Sequence, residues 1–279
     1  MTGADGVFHV AGWYKIGVRN RSEAYRINVE GTSNVLSLDR ELGIPKAVYT
    51  STLAVNSDTH GRLVDETFRF RGRFISVYEE TKAAAHELAL AEIARGLPLV
   101  IVQPGLVYGP GDTSSVGTTL RRFLRRKLPP LPAKTAFCWA HVDDIAEGHR
   151  SAMERGAPGR NYFLAGPVAT LVEAIRLASS LTGIPASPVT LPPGLVKAGA
   201  LLAGIAERLG TVPPEFTREG LRTLAGTTYI GTADRARSEL DWSARPLAAG
   251  LEETLRHEMR ALGMATPGTR LPGGVFQNR

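Results

Sequence analysis

The sequence predicts an α/β protein built on a doubly wound parallel sheet, with a smaller, mostly helical C-terminal lobe. Three observations lead to this prediction. Apolar residues on consecutive positions, as in "VFHVA", "KAVYT" and "LPLVIVQ", are typical of strands buried on both faces of a parallel sheet. Helical segments separate these strands, as right-handed crossovers require. Beyond residue 112, helical patterns broken by proline and glycine dominate.

The N-terminal part alternates strand and helix signals. A strand in "DGVFHVAG" precedes a helix in "SEAYRINVEGTSNVLSLDRELG", with Ser22 as its N-cap and Gly43 beyond its end. A second strand, "KAVYTS", precedes a polar loop and the alanine-rich helix "ISVYEETKAAAHELALAEIARG", which Gly96 and Pro98 end. The third strand is "LPLVIVQPG". This order predicts a parallel sheet with helical connections.

The second half predicts a basic helix in "GTTLRRFLRRKLPPLP" and a strand running into a helix in "TAFCWAHVDDIAEGHRSAMERG". Further helices are predicted in "TLVEAIRLASSLTG", after Pro193 and in "PLAAGLEETLRHEMRALG". We therefore expect a sheet domain over residues 1–112, to which 137–160 returns, and a substrate lobe over 113–262. The Gly- and Pro-rich residues 263–279 are predicted to be a disordered tail.

Composition restricts the class of protein. The 279 residues are 43% hydrophobic, with a net charge of +6 and a pI near 9.7, as in a soluble protein with a mildly basic surface. The single cysteine, Cys138, excludes an internal disulfide and favours a reducing compartment. No segment has the length of a membrane span, and the N-terminus does not resemble a signal peptide. We expect a cytoplasmic protein without a membrane partner.

The stretch "VYEETK" carries the clearest chemical signal. Tyr78 and Lys82 are four residues apart, so on a helix they share one face. A neighbouring ammonium lowers the pKa of a phenol and makes it usable for proton transfer near neutral pH. An exposed Tyr–Lys pair without function shows the same spacing, so the pair needs support from its surroundings.

Two other stretches supply that support. "VYTSTLAV" places Ser51 and Thr52 at the C-terminal end of a buried strand, where ligands bind in open α/β sheets. A hydroxyl there can hydrogen-bond a substrate oxygen beside the tyrosine. "NVEGTSNVL" places Asn28 on the preceding helix.

Six motifs occur in a familiar order: "VFHVAG", "NVEGTSNVL", "VYTST", "YEETK", "PGLVYGPGD" and "HVDDIAEGH". Together they resemble the extended short-chain dehydrogenases/reductases, the NAD-dependent epimerase/dehydratase family. The stretch "FHVAGWYKIGVRNRSEAYRINVEGTSNVL" is similar to the branch of dihydroflavonol-4-reductase-like proteins and hopanoid-associated sugar epimerases. The resemblance implies a Rossmann-like sheet and a reductase or epimerase that uses NAD or NADP on a small-molecule substrate.

The resemblance also assigns roles to residues. Tyr78 matches the catalytic acid/base, Lys82 the lysine that lowers its pKa and binds the nicotinamide ribose, and Thr52 the catalytic Ser/Thr. Asn28 matches the asparagine that supports the lysine through water. The remaining matches border the cofactor: Val10, Ala11, Gly12, Ser51, Pro104, Gly105, Leu106 and Val107.

Relative to the family, the sequence lacks a glycine-rich G-x-x-G-x-x-G turn, which would bind the cofactor pyrophosphate at a helix N-terminus. The first three strands of the family's sheet, on the order of 60 residues, have no counterpart. We favour a fragment of an oxidoreductase, or a misplaced start, and expect weak NAD(P)H binding. The alternative is a non-catalytic remnant that acts as a binding protein.

Clusters of charged residues and histidines elsewhere in the sequence have the residue types of ligand-binding sites. The cluster "RRFLRRK" is either a solvated basic face, which we favour, or a contact to a nucleotide-sugar diphosphate. His141, Asp143, Asp144 and His149 have the residue types of a metal site, but an aspartate capping the following helix explains them better, so no metal is expected. Basic residues without interleaved aromatics do not indicate nucleic-acid binding. A homodimer is compatible with the sequence.

Overall fold

The computed structural model describes residues 1–17, 20–210 and 212–266, and it contains the predicted parallel sheet. Its strands are β1 (Val7–His9), β2 (Ala47–Thr50), β3 (Leu99–Pro104) and β7 (Asn161–Leu164). They lie in the order β1-β2-β3-β7, and each neighbouring pair is parallel. In register, Val7 pairs with Ala47, Ala47 with Leu99, and Ile101 with Asn161.

Consecutive apolar residues of β2 and β3 contribute to two different cores, because successive side chains of a strand point to opposite faces. Tyr49, Leu99 and Ile101 pack against α2 (Gly31–Glu41) and α3 (Val77–Ala94). Val48 and Val102 belong to a second core with residues of α5 (Val142–Arg155). Helices therefore cover both faces of the sheet, and the predicted Rossmann-like α/β class is confirmed.

The first strand differs from its prediction. β1 ends at His9, and Phe8 and Val10 are 49% and 58% exposed. Among the described residues β1 is an edge strand that pairs with β2 alone. The expectation of a strand buried on both faces is therefore wrong for Phe8. β1 lies at the edge of the sheet, where less of the protein packs on it than on β2 and β3.

Two predicted helix caps are also corrected. Asn20, not Ser22, is the N-cap of α1 (Arg21–Tyr25), and its side chain accepts from the Ser22 N–H at 3.1 Å. His141, and neither aspartate, is the N-cap of α5. Asp144 instead accepts hydrogen bonds from the backbone and side chain of Arg245, both at 2.9 Å. Asp144 and Arg245 are about a hundred residues apart in sequence. The local sequence around Asp144 therefore does not indicate this ion pair.

A second, smaller sheet contains the strand predicted in "TAFCWAHVDD" and three strands that were not predicted. It contains β4 (Leu106–Tyr108), β6 (Ala136–His141) and β10 (Thr228–Tyr229), with β8 (Val168–Thr170) antiparallel to β6. β5 (Leu131–Pro132) and β9 (Thr190–Leu191) form a separate parallel pair. The strands that were not predicted have two or three residues, too few for a clear periodic signal. Cys138 lies in β6 and is fully buried.

The C-terminal half supplies most of the remaining helices. Their bounds are α4 (Ser115–Leu124), α6 (Leu171–Thr182), α7 (Pro193–Leu209), α8 (Arg218–Thr223), α9 (Asp234–Leu240) and α10 (Leu247–Ala261). α4, α6 and α10 enclose a core with Tyr108 and Trp139 of the second sheet. No described helix is long and apolar enough to cross a bilayer. The predicted tail lies outside the described residues from 267 onward.

Candidate functional site

The first turns of α3 place Tyr78 and Lys82 on one face, as the sequence predicts. Ser76 is the N-cap, and its side chain accepts from the Glu79 N–H at 3.2 Å. The Lys82 ammonium is buried and donates to the Thr50 carbonyl at 2.8 Å and to Tyr49 Oη at 3.3 Å. α3 thus joins the tyrosine and the lysine to the C-terminal end of β2.

Thr52 and Ser51 point to different partners. The Thr52 hydroxyl hydrogen-bonds the Tyr78 phenol and also accepts from the Ala54 N–H at 3.2 Å. Ser51 Oγ lies 2.9 Å from His86 Nδ1, and the Ser51 side chain is buried. The structure therefore brings Thr52, and not the Ser51 hydroxyl, to Tyr78.

The pKa of Tyr78 is raised in the structure, whereas the sequence predicts that Lys82 lowers it. Burial raises the pKa of Tyr78, while the Thr52 hydrogen bond lowers it to a smaller extent. Burial also lowers the pKa of Lys82 to about 8. The predicted lowering of the Tyr78 pKa by Lys82 is not found in this structure, because Lys82 Nζ is engaged by β2.

Asn28 lies on a π-helical turn (Arg26–Glu30) between α1 and α2, a local irregularity that often marks functional segments. Its Oδ1 accepts from the Trp13 N–H at 2.7 Å, and its Nδ2 donates to the Trp13 carbonyl and to Thr81 Oγ1, both at 2.9 Å. Asn28 therefore anchors the loop after β1 to α3. No local pattern in the sequence indicates Trp13 as this partner.

Val10, Ala11 and Gly12 follow β1 and are exposed. A Cβ on Gly12 would lie 3.4 Å from Asn28 Oδ1 and 3.7 Å from Lys82 Nζ. Gly12 thus leaves a cradle open in front of the lysine, and its role in cofactor binding stays a prediction.

The segment Pro104–Val107 lies where the chain passes from the first sheet to the second. Gly105 has no room for a side chain, because a Cβ would come 2.2 Å from the Cys138 carbonyl oxygen. Leu106 and Val107 pack against two different hydrophobic cores. Their side chains therefore stabilise the fold, and the backbone of this segment pairs with β7 and β6.

A cavity of about 410 Å³ reaches His86, the hydrogen-bond partner of Ser51. This cavity was not predicted from the sequence. Asn56, Phe74, His86 and Phe163 belong to its lining. Tyr78, Lys82 and Thr52 do not line it.

Charge partners neutralise the acidic cluster around His141 and two of the five basic residues in "RRFLRRK". Donor atoms of His141, Asp143 and Glu253 lie within 4.8 Å of one another, but Arg245 pairs with Glu253 at 2.8 Å and with Asp143 at 3.7 Å. In the basic cluster, Arg122 pairs with Glu215 at 2.8 Å, and Arg121 donates to the Asp112 carbonyl at 2.7 Å and pairs with Glu258. A guanidinium already occupies the acidic cluster, so we assign no metal to it.

Comparison with known proteins identifies the family of this chain. Residues 1–165 match the model of the NAD dependent epimerase/dehydratase family. The chain belongs to this family. A provisionally named dihydroflavonol 4-reductase of Synechocystis sp. is 34% identical over 200 residues, which cover 69% of this chain and 58% of that protein. The chain thus spans less than two thirds of the length of this relative.

Two further proteins are similar over most of the chain. A 4-hydroxy-2-methyl-3-oxo-4-farnesyl-3,4-dihydroquinoline-1-oxide ketoreductase of Stigmatella aurantiaca is 30% identical over 253 residues, covering 88% of this chain and 74% of that protein. The crystal structure of gox2253 superposes with a TM-score of 0.80 at 29% identity, covering 95% of this chain and 81% of that one. Both agree with the fold and family derived from the motifs.

The family depends on NAD, in agreement with the predicted NAD or NADP cofactor. The site residues fit the nicotinamide end of such a molecule. Lys82 is a buried cation with three N–H bonds, and its two hydrogen-bond partners in the described part of the chain are neutral oxygens. One donor thus remains for a ligand hydroxyl, next to the open cradle at Gly12.

Proposed function

We propose that this chain is an NAD(P)-dependent reductase that acts on a ketone or the corresponding alcohol. The observation that carries the proposal is the meeting of three side chains: Lys82 Nζ donates to the Thr50 carbonyl at 2.8 Å, and the Thr52 hydroxyl faces the Tyr78 phenol one turn earlier on α3. These groups meet at the C-terminal end of β2, where ligands bind in parallel α/β sheets.

Each residue has a role in this mechanism. Lys82 and the backbone of Val10–Gly12 and Pro104–Val107 would hold the nicotinamide end of the cofactor, with the buried Ser51–His86 pair behind it. The cofactor supplies hydride to the substrate carbon or accepts it. Thr52 orients the substrate oxygen, and Tyr78 Oη gives its proton to that oxygen during reduction. Because burial raises its pKa, Tyr78 is protonated at neutral pH and ready to donate.

The names of the relatives favour a ketone over a nucleotide sugar. Ketoreductase and 2-alkyl-3-oxoalkanoate reductase are the names of relatives that are 30% identical. A nucleotide-sugar epimerase is the second candidate, because the basic residues of α4 could contact a diphosphate. The pairing of Arg121 and Arg122 with protein oxygens weakens that candidate. A homodimer and a cytoplasmic location remain predictions from the sequence.

The test combines cofactor binding with turnover. NAD(P)H fluorescence should titrate with weak affinity, because the sequence contains no G-x-x-G-x-x-G turn. Oxidation of the bound NAD(P)H should follow addition of ketones from a panel that also holds UDP-sugars. Turnover of UDP-sugars alone would favour the epimerase. Absence of both binding and turnover would favour the non-catalytic binding protein.

A further inference from the structure

Lys82 and three further buried polar side chains form a connected row that ends at the edge strand of the sheet. Lys82 Nζ donates to Tyr49 Oη at 3.3 Å, Tyr49 hydrogen-bonds Thr32, and Thr32 Oγ1 lies 3.0 Å from His9 Nε2. All four are at least 94% buried, and they come from α3, β2, α2 and β1. Buried polar chains of this kind form where their members satisfy one another.

The direction of the hydrogen bonds follows from the chemistry of the groups. An ammonium has only donors, so Lys82 donates to Tyr49. The Tyr49 hydroxyl can then donate its proton to Thr32 Oγ1, and the Thr32 hydroxyl can donate to His9 Nε2. Burial and the Lys82 charge lower the pKa of His9 to about 4, so its ring is neutral at pH 7 and can accept at Nε2.

Ring contacts fix the tyrosine in addition to these hydrogen bonds. The rings of His9 and Tyr49 stack with centroids 5.4 Å apart and an angle of 23° between their planes. Lys82 Nζ lies 4.9 Å from the centroid of the Tyr49 ring, within the range of a cation–π contact. The phenol is therefore held by β1 and α2 while it contacts the lysine.

We propose that Tyr49, fixed by Thr32 and His9, is the positioning residue that holds the Lys82 ammonium toward the cradle at Gly12. This role rests on the proposed function, since it matters for catalysis only if Lys82 binds the cofactor. Asn28, which the family resemblance implies supports the lysine through water, hydrogen-bonds Trp13 and Thr81. Tyr49 is the side chain whose hydroxyl hydrogen-bonds Lys82 Nζ directly.

The charged and titratable groups around Lys82 are few. His9 on β1 and His86 on α3 both have pKa values lowered by burial and, in part, by the Lys82 charge. Tyr49 lies on β2, and Tyr78 lies one turn earlier on α3. No carboxylate of the described residues forms an ion pair with Lys82. The Tyr49 oxygen is therefore one of two protein groups that hydrogen-bond the charged form.

The test measures the Lys82 pKa directly in the full chain without cofactor. The chain has six lysines, so NMR of lysine labelled at Cε resolves few signals, and Lys82→Met assigns the relevant one. In Tyr49→Phe the ring and its stacking remain, but the oxygen is lost. We expect the Lys82 pKa to fall from about 8 by roughly one unit, because a hydrogen bond to the charged form is removed. Thr32→Val should lower it by less.

Tyr162→Phe is the matched control, since Tyr162 is a fully buried tyrosine of the same sheet whose hydroxyl bonds Glu239 at 2.8 Å. It should leave the Lys82 pKa unchanged. An unchanged Lys82 pKa in folded Tyr49→Phe would overturn the proposal, as would an equal shift in Tyr162→Phe. If the chain turns over a ketone, kcat of Tyr49→Phe should fall about tenfold with its pH profile displaced in the same direction.

The measurements distinguish a failure of the Tyr49 proposal from a failure of the proposed reductase function. A shifted Lys82 pKa without any NAD(P)H binding or turnover supports Tyr49 as the positioning residue and contradicts the reductase. Turnover with an unshifted Lys82 pKa supports the reductase and contradicts the role of Tyr49.

Discussion

Tyr78 illustrates how a single residue depends on its neighbours. Its phenol contacts the Thr52 hydroxyl, and Lys82 is directed to the end of β2 and not to the phenol oxygen. A protonated tyrosine beside a hydroxyl is suited to bind a carbonyl oxygen and donate to it. At the scale of single residues, this arrangement supports the proposed reductase.

Replacing this phenol gives the first prediction. Tyr78→Phe should lower kcat by about 10²- to 10⁴-fold, because the proton donor is lost, while the NAD(P)H titration stays unchanged. Steady-state kinetics and fluorescence titration measure both. Tyr162→Phe should retain activity; equal losses in the two variants would contradict a specific role for Tyr78.

Asn28 carries the second prediction. Asn28→Ala removes three hydrogen bonds that join the loop after β1 to α3, so the free energy of unfolding should fall by about 2–3 kcal/mol. Urea denaturation measures the change. Asn34→Ala, on an exposed position of α2, is the control and should change stability by less than about 1 kcal/mol. Similar losses in both variants would refute the anchoring role.

At the scale of elements, the passage from β3 to β4 links the two sheets. β3 ends at Pro104 and β4 begins at Leu106, so Gly105 is the only residue between them. Its backbone packs on Cys138 of β6, and its N–H donates to the Leu164 carbonyl at 3.2 Å. The relative placement of the sheets thus depends on a position without a side chain.

This close approach gives the third prediction. Gly105→Ala should destabilise the fold by about 1–3 kcal/mol or more, because the added methyl group meets the backbone of β6 and cannot rotate away. Thermal and urea denaturation measure the loss. Gly194→Ala in the first turn of α7, where nothing lies within 4 Å, should leave stability unchanged or slightly higher. A tolerated Gly105→Ala would mean that the two sheets can separate at little cost.

At the scale of the whole molecule, buried histidines tie stability to pH. Burial lowers the pKa values of both His9 and His86 to about 4 from 6.5. The unfolded chain therefore binds protons that the folded chain does not, in the window between these values. The stability that these groups contribute is present above pH 6.5 and is lost as the pH falls toward 4.

The fourth prediction isolates one of these groups. In urea denaturation between pH 6.5 and 4, His86→Gln should reduce the pH slope of stability by up to about 1.4 kcal/mol per pH unit, the value for one proton. Buried carboxyl groups such as Asp39 and Glu79, whose pKa values burial raises, act in the opposite direction. The difference between variant and wild type is therefore the quantity to compare, and an unchanged slope would refute the prediction.

The sequence by itself determined the family, the parallel sheet and the placement of Tyr78 and Lys82 on one face of a helix. These features follow from local order: consecutive apolar residues form buried strands, and a spacing of four places two side chains on one helix face. The position of Thr52 at a strand end is local in the same sense, and it is the hydroxyl that the structure brings to Tyr78.

The tertiary structure decided which partners the site residues have. The Asn28 contact to Trp13 and the Tyr49 contact to Lys82 join elements that lie apart in sequence. Side-chain direction at these positions is selected by packing and by the need to satisfy buried polar atoms. No local pattern encodes that selection, because both partners must first be brought together by the sheet.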